Sequence, residues 1–254
     1  MGLDIYAGTL TRYYMHDWKS VVQQWAEANG MKFQRFAPNE EEIEEETDPA
    51  RVREAVENWR DQIVAAVSQP GQEPFTPWPE DCERPYYTDK PDWDAYGALL
   101  LAAACYSYGE PLPATVSKGW DFMEHPLIRR LSEDQEKVWS LLRGAVWWIP
   151  LPDGFFFEAP LPTGNREVIA TTAGLRQELE RLNELAWRAD EKTILGWSDT
   201  EGYPADGTVN DGTVQTGETH TVYDTQSLAK FAFSILYQAL LFSEIHQVPI
   251  LLDY

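Results

Sequence analysis

His220 stands in the stretch Thr216-Gly217-Glu218-Thr219-His220-Thr221. A loop histidine with a carboxylate close by has the parts of a general base, because an unperturbed imidazole titrates near neutral pH. It is the candidate catalytic residue of the chain. Just before it, Asp206-Gly207-Thr208-Val209-Asn210-Asp211-Gly212 supplies oxygen ligands at its first, third and fifth places. An EF-hand loop then needs Gly at the sixth place and Glu at the twelfth. Those places hold Asp211 and Gly217, so no EF-hand is expected. Asp206, Asn210 and Asp211 remain the candidates for an irregular cation site, although turn chemistry also accounts for this Gly, Asn and Asp content.

The other histidines carry less. His125 and His246 fall at helix ends, where the macrodipole favours a cation, and His16 sits at a helix start. Cys82 and Cys105 have no zinc-type spacing, and two thiols without a secretion signal read as reduced. Cys82 lies in Glu80-Asp81-Cys82-Glu83, where carboxylates oppose thiolate formation. The sequence holds no GxGxxG, Walker loop, GxSxG or HExxH motif, so no cofactor is expected.

A different chemistry is written at Glu40-Glu41-Glu42-Ile43-Glu44-Glu45-Glu46-Thr47-Asp48, seven acids in nine residues. Such a run is either a self-repelling solvated segment or a docking surface for a basic partner. The charge is segregated: residues 37–95 carry 17 acidic and 5 basic groups, and residues 196–254 carry 8 and 1. Eleven tryptophans are many for this length. Trp18, Trp25, Trp59, Trp139 and Trp187 fall at helical core positions. Trp78 and Trp197 lie near loops, where an aromatic beside acids can anchor a protein partner. The partner-binding candidates are therefore Glu40, Glu41, Glu42, Glu44, Glu45, Glu46, Asp48, Trp78 and Trp197.

The whole chain agrees with that emphasis. Its 254 residues hold 42 acidic and 20 basic side chains, a net charge of −22. Nucleic-acid binding needs clustered Lys and Arg and is not expected. Anionic membrane surfaces are disfavoured for the same reason. No uninterrupted 18-residue apolar run occurs, so no membrane-spanning helix is expected. The opening Met-Gly-Leu-Asp-Ile-Tyr has neither the basic nor the apolar region of a secretion signal, so a cytoplasmic location is expected.

The elements that must position these residues read as one α+β domain over 1–254. About six or seven helices pack on a small, mostly antiparallel sheet with a central hairpin and both terminal strands as candidate members. Residues 3–13 suggest a strand or a hairpin turning near Gly8. Asp17 and Gly30 bracket a helix. Thr47-Asp48-Pro49 opens another, with Val52, Val56, Trp59, Ile63 and Val67 as its apolar stripe. Residues 68–91 form a Pro-rich connection. Asp92 and Gly109 bracket a buried helix, and residues 115–124 suggest a short one. Ser132-Glu133-Asp134-Gln135 resembles a capping box opening a helix toward Gly144. Residues 145–150 and 155–159 flank Pro152-Asp153-Gly154 as the hairpin, with 166–171 as a further strand. A helix over 173–189, a long polar loop at 196–223, a helix ending near His246 and a closing strand at 248–252 complete the chain.

The reading that follows is an acidic protein that binds and neutralises a basic protein partner, in the manner of an immunity protein or an inhibitor. The alternatives are a carboxylate- and His220-dependent hydrolase or transferase, and a structural homo-oligomer subunit. Oligomeric state is not legible in the sequence.

Overall fold

The computed structural model describes residues 2–31, 48–68, 75–205, 208–210, 213–215 and 220–254. Among them the chain runs β1 (Asp4–Ala7), α1 (Leu10–Tyr14), α2 (Val21–Ala28), α3 (Pro49–Val67), β2 (Tyr87–Asp89), α4 (Trp93–Tyr108), β3 (Thr115–Ser117) and α5 (Pro126–Glu133). It continues with β4 (Ala145–Ile149), β5 (Phe156–Pro160), β6 (Arg166–Thr171), α6 (Thr172–Ala186), α7 (Glu191–Thr200), β7 (Thr208–Asn210), β8 (Thr213–Gln215), β9 (Val222–Asp224), α8 (Thr225–His246) and β10 (Ile250–Asp253). Single 3₁₀ turns lie at Phe122–Glu124 and Leu141–Arg143.

Six strands form one sheet in the order β2-β1-β10-β4-β6-β5. All its pairings are antiparallel except β4 with β6. The pairs β3-β9 and β7-β8 stand apart. The architecture is α+β, with eight α-helices among the described residues and a larger sheet than the sequence suggests. Both terminal strands belong to it: Ile5 faces Leu252 and Tyr6 faces Leu251.

Alternation along the central strands splits the core into two layers. Leu3, Ile5 and Ala7, then Ala145 and Trp148, then Ile250 and Leu252 point to one face, against the buried sides of α4, α6, α7 and α8. Tyr6, Trp147, Ile149, Ile169 and Leu251 point to the other, against Val52, Val56, Trp59 and Ile63 of α3. A strand apolar on both faces must be covered on both faces, which puts β1, β4 and β10 inside the sheet. Helix α4 is buried from Ala95 to Cys105, and that stretch has no polar face because no side of it meets water.

Caps place the helices. Asp48 accepts from Ala50 N at 3.0 Å with Pro49 in the first turn, and Asp224 accepts from Ser227 N at 2.7 Å. Gly109, with φ 69°, closes α4 in the left-handed region that suits glycine. Helix α8 is the one described helix long and apolar enough by length and composition to cross a membrane, a test that a buried core helix also meets. Lys230 interrupts its apolar run, and most of it is buried against α4, α6 and α7.

Several expected elements are different. The hairpin is β5-β6, closed at Gly164, whose N–H donates to Leu161 O at 2.8 Å. The strand β4 instead runs parallel to β6. Its side chains demand burial on both faces, whereas β5 exposes Phe156, Glu158 and Pro160 and suits an edge. After β1 the chain turns into α1 instead of a hairpin, because Thr9 caps Arg12 N at 3.4 Å. Ser20, not Asp17, opens α2, through a capping box with Gln23. Residues 115–124 hold β3 and a 3₁₀ turn in place of a helix. The Ser132-to-Gln135 stretch ends α5 and does not begin a helix. The Pro-rich connection contributes β2, and the 196–223 segment contains the end of α7 with β7, β8 and β9.

Candidate functional site

Two places on the described surface have the makings of a site. The first is α2. Ser20 Oγ accepts from Gln23 N at 3.4 Å, and Gln23 Oε1 accepts from Ser20 N at 2.8 Å. The helix is tied down at its start, where Trp18 packs on Tyr6 at 4.9 Å and the Tyr86 hydroxyl accepts from Lys19 N at 3.1 Å. Beyond that anchor only Ala26 is buried. Val22 and Trp25, three residues apart and so on one face, are 39% and 59% exposed, and Met31 is 45% exposed. Trp25, expected at a helical core position, is outward, whereas Trp18 is half-buried against Tyr6. The flanking charges are Asp17 and a Lys19–Glu27 pair at 2.7 Å.

The second is a cleft of about 460 Å³ beside α6. Thr171 starts that helix: its Oγ1 accepts from Gly174 N at 3.1 Å and donates to Asp153 O at 2.6 Å. This fixes the Gly154-Phe155-Phe156 rim over the first turns of α6, from which Gln177, Glu178 and Arg181 line the cleft. Gly154 is pressed on Gln177, where a Cβ would come within 2.6 Å of the amide. Glu178 is half-buried. Its carboxylate accepts from Ser140 N and, at 3.4 Å, from Leu141 N, thereby capping the 3₁₀ turn from a remote helix. Burial pushes its pKa up to about 7, against those hydrogen bonds and the Arg181 guanidinium, which favour the charged form. Ser140 itself is buried, and its Oγ accepts from Trp148 Nε1 at 3.3 Å.

The sequence candidates are scattered. Glu40, Glu41, Glu42, Glu44, Glu45 and Glu46 lie outside the described residues, as do Asp206 and Asp211. Asp48 is exposed and occupied as the α3 cap. Asn210 lies in β7 opposite Thr213. Trp78 and Trp197 are core residues, 2% and 6% exposed, and are not available to a partner. Trp78 packs edge-on to Trp59 at 6.2 Å, and Trp197 to Trp187 at 5.2 Å. His220 is buried at 2% exposure, not a solvent-facing loop residue. It lines a cavity of about 740 Å³ with Glu201, Tyr203 and Asp224. Glu201 is engaged by Lys230 at 2.8 Å, and Asp224 caps α8. Among the described residues no group of three or more His, Cys, Asp and Glu is placed to hold a metal.

Sequence reasoning missed Glu178 and Glu80. Glu80 is 1% exposed and accepts from Thr11 N and Trp78 Nε1, each at 2.9 Å. Thr9 Oγ1 donates to Asp81 O at 2.6 Å, Arg60 Nη1 to Trp78 O at 2.7 Å, and Arg12 Nη2 to Cys82 O. The Pro-rich connection is thus nailed to α1 and α3. Burial lifts the Glu80 pKa to about 7 and also raises that of the Cys82 thiol. Both glutamates cap a turn distant in sequence, and no local pattern signals that. Comparison with family models, with curated proteins and with solved structures found no match to this chain.

Proposed function

We propose that this chain is an acidic binding protein that docks on and neutralises a basic protein partner, as an immunity protein or inhibitor does. The observation that carries the reading is the outward apolar face of α2, with Trp25 at 59% exposure. It precedes in sequence the stretch that holds seven acids in nine residues. A large aromatic anchor supplies residence time, and segregated charge supplies encounter rate and partner choice. The net charge of −22 favours a basic partner over an acidic one.

Native mass spectrometry of gently purified protein at low and high salt tests this. A stoichiometric basic partner that leaves at high salt is expected. With that partner in hand, Trp25→Ala should weaken binding by about tenfold or more, chiefly through faster dissociation. Replacing Glu41, Glu42, Glu44 and Glu45 with Gln should slow association and flatten its salt dependence. Partner binding that ignores both sets of changes, or a lone monomer in every condition, removes the reading. A clean homo-oligomer would favour a structural subunit.

A hydrolase or transferase reading has one observation behind it, the Glu178 carboxyl poised near neutrality in a cleft. Both its oxygens are engaged by backbone N–H groups, the one hydroxyl residue lining that cleft, Ser140, is buried with its Oγ accepting from Trp148 Nε1, and no second carboxylate lines it. The binding reading is preferred for that reason.

A further inference from the structure

We propose that the cleft between α6 and the Gly154–Phe156 rim binds a small ring-bearing monocarboxylate, with Arg181 taking the carboxylate and Phe155, Phe156 and Val138 taking the ring. This is independent of the α2 surface and of the partner reading.

Glu178 and Arg181 are three residues apart on one helix and would ordinarily close an ion pair. They do not. The Glu178 carboxylate is drawn inward to Ser140 N and Leu141 N. The Arg181 guanidinium lies over the ring of Trp139 instead, 5.2 Å from its centroid. Arg181 makes no ion pair and no hydrogen bond with the described residues, yet it lines the cleft. A guanidinium held over an aromatic face by its charge spends no N–H donor there, and its fork of donors matches a planar carboxylate. Across the opening, Phe155 and Phe156 present apolar surface, with Val138 40% and Phe156 37% exposed. The exposed Gln177 amide adds one more donor at the rim. About 460 Å³ falls within the roughly 300–1,000 Å³ of small-molecule sites and takes one or two rings.

Only one carboxylate fits. A second would meet Glu178, whose burial already disfavours negative charge. The groups facing Glu178 are Arg181 on its own helix, Tyr96 from α4, and the Ser140 and Leu141 N–H groups. With its pKa near 7, Glu178 accommodates an anionic neighbour by keeping its proton. Binding should therefore weaken as pH rises above neutrality.

The test is calorimetric titration of the full chain with benzoate and 2-naphthoate, and with benzamide as the neutral counterpart. At pH 6 at least one acid should bind saturably, with Kd of about 1 mM or tighter, and benzamide should bind about tenfold more weakly or not at all. Affinity for the acid should fall by about tenfold between pH 6 and pH 8.5. Arg181→Gln, at an exposed position that leaves folding intact, should lose about tenfold or more in acid affinity without changing the benzamide signal. Glu178→Gln should bind the acid equally at both pH values, if it folds. Failure of both acids to bind the wild-type protein overturns the proposal, as does acid binding that Arg181→Gln leaves unchanged.

Discussion

Glu80 shows how a buried carboxyl contributes to the pH response of the molecule, beside Glu178, which burial shifts in the same direction. Its pKa rises from 4.5 unfolded to about 7 folded. Between those values the folded chain holds a proton that the unfolded chain releases, so stability is fully present below pH 4.5 and is lost as pH rises through 7. The full effect is about 3 kcal/mol as an upper bound. Denaturant titrations should find the wild type more stable at pH 5 than at pH 8, and Glu80→Gln should shrink that difference. Equal pH dependence in the two proteins would show that Glu80 is not the group responsible. Glu80→Ala is a harsher change. It strands Thr11 N and the Trp78 indole, and should cost about 2–4 kcal/mol by the same titration. None of this was legible in the sequence. Glu80 sits in the Pro-rich connection, where no periodic pattern marks a buried position, and its partner Thr11 is 69 residues away.

At the level of elements, the caps were legible at Asp48 and Asp92 and misleading at Asp17 and at Ser132–Gln135. Helices α3 and α4 begin at Asp48 and Asp92 as the sequence predicts, because a capping side chain acts on its own next turn. The stripe Val52, Val56, Trp59 and Ile63 is buried as its spacing requires. Strand pairing was the weak point. Whether β4 pairs with β5 or β6 depends on which strand needs both faces covered, a competition that no local turn decides. The outward Trp25 was likewise hidden, since the apolar period of α2 is the same for a core face and a docking face. Helix α4 offers a prediction against propensity. Gly97→Ala should favour an exposed helix by about 1 kcal/mol. Here a Cβ would meet the Phe122 ring at 2.6 Å. The variant should lose about 1–3 kcal/mol from overpacking, visible as a lower Tm. An unchanged or higher Tm would mean that Phe122 gives way freely.

For the whole molecule, charge is the feature the sequence carried most plainly. A net −22 repels itself in the compact state. Raising salt from about 0.05 M to 0.5 M shortens the Debye length severalfold. It should raise Tm by about 2–4 °C, the equivalent of about 1 kcal/mol for a chain of this size. A falling Tm would show instead that ion pairs such as Arg176 with Glu244 and Lys230 with Glu201 dominate the balance. Total charge needs no three-dimensional knowledge. The clefts do, because Gln177, Arg181 and the Phe155–Phe156 rim meet only once β6 and α6 are in place.

The position of β10 has a consequence for how the chain is made. It lies between β1 and β4, joining β2-β1 to β4-β6-β5. During synthesis the first strand leaves the ribosome with its central neighbour still untranslated, and the sheet stays in two halves until residues 250–253 emerge. Nascent chains therefore carry an unpaired β1 edge while residues 8–249 are added, joined by Trp147 and Trp148 while residues 149–249 are added, a state suited to chaperone capture. Deleting residues 250–254 should freeze that state: protease digestion should cleave the truncated chain far faster than the full one, with the β4-β6-β5 half outlasting β1. Resistance equal to the full chain would mean that the two halves hold together without their shared strand.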